Sequence, residues 1–252
     1  MGTYDDDLRK FEAEGAAALP VANLQGYVVN DGARIWYSTC GSGAPVVLLH
    51  GGFGHSGNWG YQVPALVTNG YRAVLLDSRG HGRTTRDSRP FTYELMASDV
   101  LAVLDSLEIE RVGLVGWSDG ACTSLILAAK VPARVAGYAL LSATPDQFNE
   151  FFEAVSLMQR TQPNYSVHDL KQITVPVVIA QSEHDEFIKP EHAEHLARSI
   201  PNAELVVLPG VSHFAPLQRP ELFNKCAAYI PRQNPTTGTG RAAFLAARLA
   251  DR

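Results

Sequence analysis

A chain of 252 residues that is 46% hydrophobic and 19% charged has the make-up of a globular protein with one large core. A net charge of −5 and a pI near 5.9 exclude a basic surface for nucleic acid or anionic membrane, and no apolar run reaches the ~18–20 residues of a membrane span. The three scattered cysteines, Cys40, Cys122 and Cys226, read as reduced thiols in a cytoplasmic protein, neither a disulfide framework nor a metal site.

Residues 1–20 form an acidic leader, the reverse of a basic signal-peptide start. A hairpin is predicted over 24–30 and 34–39, turning at Asn30-Asp31-Gly32. Residues 45–49 are a continuous apolar run, as in a strand covered on both faces, and end in His50-Gly51-Gly52-Phe53. A helix follows over 61–68, a strand over 72–76, the loop Asp77-Ser78-Arg79-Gly80-His81-Gly82, and a helix over 92–107. The next strand, 111–115, runs into Gly116-Trp117-Ser118-Asp119-Gly120 and a helix that Pro132 stops. Strands at 135–141, 175–181 and 203–208 and helices at 190–199 and 220–229 complete the pattern. A polar-rich interval occupies 142–172, and a linker-like composition opens the tail at 232–252. A hairpin followed by alternating strands and helices specifies an α/β fold: a mostly parallel sheet, an N-terminal antiparallel hairpin and helices on both faces. Sites in such sheets form at the carboxyl ends of strands.

Ser118 lies on a strand-to-helix turn between two glycines, the context in which Gly-x-Ser-x-Gly holds a nucleophilic hydroxyl clear of the sheet. A serine nucleophile needs a base, and the base needs an orienting acid. His213, directly after the last strand, is the candidate base, with His50, His55, His81, His184, His192 and His195 as rivals. His50 and His81 read as loop braces, and His192 and His195 as surface-helix residues. Asp185, after the preceding strand, is the candidate acid, against Glu183, Glu186, Asp146 and Asp169. The glycine-rich loop lacks both Gly-x-Gly-x-x-Gly spacing and a Lys-Ser/Thr, so it does not read as a nucleotide site.

Four motifs together make residues 24–229 resemble the α/β-hydrolase superfamily. They are His50-Gly51-Gly52, Asp77-x-Arg79-Gly80-His81-Gly82, Gly116-x-Ser118-x-Gly120, and His213 followed by Pro220 and Phe223. Ser182 and Ser212 depart from it, standing where the family usually has glycine. The resemblance implies a hydrolase domain over 21–231 with a short cap at about 142–172, and the order Ser118, Asp185, His213. It also implies an oxyanion hole from the backbone N–H of Asp119 and that of Gly52, with Phe53 as the alternative. Candidate substrate contacts are Phe53, Trp117 and Phe214 beside the motifs and Phe148 and Phe152 in the cap.

The expected activity is hydrolysis of a small carboxylic ester, lactone or activated amide through an acyl-enzyme, with no cofactor and no metal. The elbow resembles that of valacyclovir-hydrolase-like esterases. Perhydrolase (cofactor-free haloperoxidase) or lyase chemistry on the same triad is the alternative, and a slow-turnover ligand-binding protein of the same fold is another. The Asp119 side chain has two readings: a favourable charge at a helix start, or a partner for a cationic group on the substrate.

Overall fold

The computed structural model describes residues 16–141, 158–159 and 161–229. The leader up to residue 15, Asp146, Phe148, Phe152 and most of the expected cap, and the 232–252 tail lie outside these residues. Strand β1 (Leu24–Asn30) pairs antiparallel with β2 (Ala33–Gly41), with Asn30 opposite Ala33. The two turn residues, Asp31 and Gly32, have φ of 48° and 84°, the positive pair that a two-residue hairpin matched to strand twist requires.

The remaining strands are β3 (Ala44–Leu49), β4 (Tyr71–Leu76), β5 (Val112–Trp117), β6 (Val135–Leu141), β7 (Val177–Ser182) and β8 (Ala203–Leu208). They join the hairpin in one eight-stranded sheet of order β1-β2-β4-β3-β5-β6-β7-β8. Only the pairings of β2 are antiparallel; from β4 to β8 the sheet is parallel. The helices are α1 (Gln62–Thr68), α2 (Tyr93–Ser106), α3 (Asp119–Lys130), α4 (Val167–Lys171), α5 (Pro190–Ser199), α6 (Ala215–Gln218) and α7 (Pro220–Tyr229).

Alternation along the strands builds two cores. Val47 and Leu49 of β3 pack with α2, α3 and α5 on one face, while Val46 and Leu48 pack with α1 and α7 on the other. The Thr92 hydroxyl caps α2 by accepting the Leu95 N–H at 3.0 Å, and Pro190 starts α5 at its first turn. Among the described residues no helix is long and apolar enough to cross a membrane.

Two features of this topology position the site. The chain leaves β3 for β4 on one side and returns to β5 on the other, so the loops after β3 and β5 diverge at a switch point. Register does the rest. Leu49 sits beside Gly116, bringing His50–Gly52 next to Ser118, and Ser182 sits beside Leu208, bringing Asp185 next to the 209–213 loop. The observed elements differ from expectation at their ends: β5 continues through Trp117, and α3 starts immediately after Ser118. The short helices α4 and α6 and the 3-10 turn Ser56–Trp59 had no visible period, since four or five residues do not complete an amphipathic pattern.

Candidate functional site

Ser118 joins β5 to α3 with φ 63° and ψ −124°, a conformation a serine keeps only where its surroundings impose it. The flanking glycines show how they do. A Cβ on Gly116 would run into the Gly120 carbonyl, and one on Gly120 into the Leu49 carbonyl. Strand end, turn and helix start are therefore in backbone contact, and the turn has no room to relax. The hydroxyl lies against the loop after β3: a Cβ on Gly51 would stand 2.7 Å from Ser118 Cβ and 3.0 Å from its Oγ.

His213 and Asp185 come from the loops after β8 and β7. His213 Nδ1 is 3.1 and 3.2 Å from the two Asp185 carboxylate oxygens, and the side chains are 2% and 1% exposed. The Phe187 and Ile188 N–H groups donate to Asp185 Oδ1 at 3.1 and 2.9 Å, which fixes the carboxylate's orientation. Phe187 and Phe214 meet the imidazole edge-on, with centroids 5.4 and 5.7 Å away. The rival acids have other tasks. Glu183 accepts the Gly210 N–H, Glu186 accepts the backbone N–H of His213, and Asp169 caps α4 with Ser166.

Trp117 is a buried core residue against Trp59 and Phe214, and its Nε1–H donates to the His213 carbonyl at 3.1 Å. That position props His213 rather than forming a wall open to substrate. Phe53 and Phe214 are partly buried, each packed against one of the two cores.

The other histidines of the glycine-rich loops are braces. His50 Nδ1 faces the Gly51 carbonyl at 2.7 Å, and its Nε2 accepts the Ser78 N–H at 2.9 Å. His81 Nδ1 faces the Arg79 carbonyl at 3.0 Å, and its Nε2 accepts the Phe53 N–H at 3.1 Å. Asp77 completes the set by accepting the Ser56 and Arg83 N–H groups. Both rings must be neutral Nδ1–H tautomers to do this. Burial, then the neighbouring His81, pushes His50 down to about 3, and burial likewise lowers His81. The unfolded chain takes up these protons near ~6.5 while the folded chain resists. Acidification below ~6.5 therefore favours unfolding, at roughly 1.4 kcal/mol per pH unit for each histidine until its folded pKa is reached. Imidazole nitrogen spectra should show the His50 Nε2 unprotonated at pH 7 and still at pH 5; a protonated His50 at pH 5 would contradict this bonding.

Asp119, the first residue of α3, is 3% exposed. Tyr93 Oη donates to its Oδ1 at 2.9 Å, and Gln159 Nε2 approaches both oxygens at 3.0 and 3.3 Å. Burial pushes the carboxyl up, opposed by the Gln159 and Tyr93 hydrogen bonds and by His213. The pair also packs over the loop after β3: a Cβ on Gly52 would stand 2.8 Å from Asp119 Oδ2 and 2.9 Å from Gln159 Nε2. Neither Tyr93 nor Gln159 was singled out from sequence. Tyr93 reads as a core-facing helix residue, and Gln159 falls in the polar-rich interval at 142–172, next to the apolar positions there and not among them. Burial, with Asp119 as the next cause, pushes the Cys122 thiol up to about 12, so it stays protonated.

Strained serine, buried His–Asp pair and glycine-lined loop all stand at the carboxyl ends of parallel strands. The family profile described as the alpha/beta hydrolase fold matches residues 44–165. The chain has the α/β-hydrolase fold. This hydrolase chain is 25% identical to the human serine hydrolase BPHL, over 84% of the chain and 88% of that protein. It is 27% identical to a non-heme haloperoxidase of Rhodococcus erythropolis, over 73% of the chain and 90% of that protein. Among solved structures it superposes on an N-acyl homoserine lactone degrading enzyme with a TM-score of 0.69 and 27% identity, covering 79% of this chain and 98% of that one. An enol-lactonase from Burkholderia xenovorans superposes with a TM-score of 0.72 at 22% identity, covering 81% and 99%, which speaks for the hydrolase fold alone.

Proposed function

We propose that the protein is a serine hydrolase that cleaves a small carboxylic ester, lactone or activated amide through an acyl-enzyme. The observation that carries this reading is the buried His213–Asp185 pair, tied to the elbow through Trp117 Nε1–H on the His213 carbonyl, together with a serine held at φ 63° on that elbow. His213 removes the Ser118 proton as Oγ attacks the carbonyl carbon, and then passes that proton to the leaving oxygen or nitrogen. Asp185 holds the ring with Nδ1–H toward the carboxylate, which leaves Nε2 as the base, and steadies the imidazolium as it forms. Water, deprotonated by the same histidine, releases the acid and restores Ser118.

The Gly52 and Asp119 N–H groups are assigned to the oxyanion. Asp119 is in the first turn of α3, where backbone N–H groups have no partner within the helix. The alternative donor, the Phe53 N–H, is given to His81 Nε2, and this favours Gly52. The Asp119 carboxylate is answered inside the protein by Tyr93 and Gln159, which favours a structural role over pairing with a substrate cation. The likeness to a haloperoxidase supports a second outcome at the same acyl-enzyme: hydrogen peroxide replacing water would release a peracid and free Ser118.

A fluorophosphonate probe is expected to label Ser118 and to abolish hydrolysis of short-chain esters in proportion. Labelling at another residue, or none with full ester turnover, overturns the assignment.

A further inference from the structure

A cavity of about 770 Å³ lies between α3 and α5 and is bounded by Gln159 and residues 161–165. Its size falls within the ~300–1,000 Å³ of small-molecule sites. It borders the candidate site at two points. Gln159 on its wall is bonded to Asp119, the residue after Ser118, and Phe187 on its wall meets the His213 ring edge-on. The sequence reading placed His192 and His195 on a surface helix without a task. The structure keeps them on α5 but turns both toward this cavity.

The charge of the lining is one-sided. Lys189 caps the start of α5, His192 lies in its first turn and His195 at its middle, all three exposed, and no described lining residue carries a carboxylate. His192 and His195, three apart, share one helix face. The ten-residue helix adds the partial positive charge of its N-terminus, which Pro190 begins. Glu194 on the same helix is engaged by Arg198 at 3.0 Å and is not in the wall. Leu125, Leu170 and Leu196 make part of the wall apolar. The wall also contains Tyr165, whose hydroxyl is sealed from solvent without a hydrogen-bond partner. Leucines in the wall together with Lys189, His192 and His195 match a ligand with a hydrocarbon stem and an anionic tip.

We infer that this cavity is the acyl subsite and that it takes acyl chains ending in a carboxylate, the tip lying against Lys189, His192 and His195. The inference rests on the serine-hydrolase reading above. The acyl half is assigned because Tyr93, Cys122 and Gln159, the part of the wall nearest Asp119, belong to the elbow side, where an acyl group would hang from Ser118. There the Lys189 ammonium would supply the charge and the imidazoles of His192 and His195 hydrogen-bonding nitrogens.

The test compares phenyl hydrogen adipate with phenyl hexanoate, equal in chain length and different in the distal charge. Wild type should prefer the anionic ester in kcat/KM by about tenfold or more. Lys189→Met with His195→Leu should bring the ratio near one. A wild-type ratio at or below one, or a preference that survives both substitutions, overturns the inference. Calorimetric titration of adipate against Ser118→Ala reads the cavity without the chemistry. Binding there, lost when Lys189→Met and His195→Leu are added, supports the subsite whatever the nucleophile proves to be. No adipate binding to Ser118→Ala overturns the subsite, even if Ser118 is the nucleophile.

Discussion

Replacing Ser118 by alanine is expected to lower kcat for short p-nitrophenyl esters by roughly 10⁴–10⁶-fold while leaving the unfolding midpoint nearly unchanged. Both halves follow from the elbow. The substitution removes only Oγ, and alanine meets the same strain at φ 63° as serine does, so the contacts of Gly116, Gly120 and Leu49 persist. His213→Ala should be comparably damaging to rate, because the reacting groups act as one unit. Asp185→Asn should cost about 10⁴-fold by presenting an amide donor to Nδ1 and disfavouring the tautomer that leaves Nε2 as base. Steady-state kinetics with thermal melts check all three. A folded Ser118→Ala retaining more than about 1% of wild-type kcat would remove Ser118 from the chemistry.

The parts of this arrangement that the sequence made legible are those written in short-range pattern. Val46–Leu49 and Val112–Val115 read as buried strands, and Gly116-x-Ser118-x-Gly120 between strand and helix fixed where the turn would be. Asp185 and His213 were legible as single residues immediately after strands, and register brings those strand ends together. What was not legible depends on long-range neighbours. Trp117 looked like a substrate contact because it adjoins the serine, yet strand alternation turns it into the core under His213. Gln159 carries no signal in a polar interval, and its importance appears only when its amide meets Asp119, forty residues away. The motif Asp77-x-Arg79-Gly80-His81-Gly82 identified a loop and His81 as a brace, but not what is braced, which is the backbone N–H groups of Phe53 and Ser56 in the neighbouring loop, held by His81 and Asp77.

Asp99→Ala, away from the reacting atoms, is expected to destabilise the protein by about 3–5 kcal/mol, a large part of the 5–15 kcal/mol typical of a folded domain. The Arg79 guanidinium is 2% exposed. It forks onto Asp99, Nε to Oδ2 at 3.0 Å and Nη2 to Oδ1 at 2.6 Å. Its remaining donors go to the Asn30 and Asp31 carbonyls at 2.9 and 3.2 Å, and Asn30 Nδ2 donates back to Asp99 at 2.8 Å. Three segments distant in sequence, the hairpin turn, the loop after β4 and α2, thus share one buried ion pair. Burial pushes the Asp99 carboxyl up, and the Arg79 and Asn30 hydrogen bonds pull against it. Removing the carboxylate leaves the buried cation with only Asp87, 3.6 Å from Nη1 and partly exposed, as counterion, which costs more than the pair itself contributes. Arg79→Met combined with Asp99→Leu removes both charges and should recover most of the lost stability, a non-additivity that urea midpoints of the two singles and the double will read. The rate should not recover with it. Arg79 supplies the carbonyl that His81 faces, and His81 holds the Phe53 N–H next to Gly52, so a loop stripped of its fork leaves the proposed oxyanion donor less firmly placed. A double variant restored in both stability and kcat would show that the fork serves folding alone; an Asp99→Ala costing under about 1 kcal/mol would show that water replaces the carboxylate.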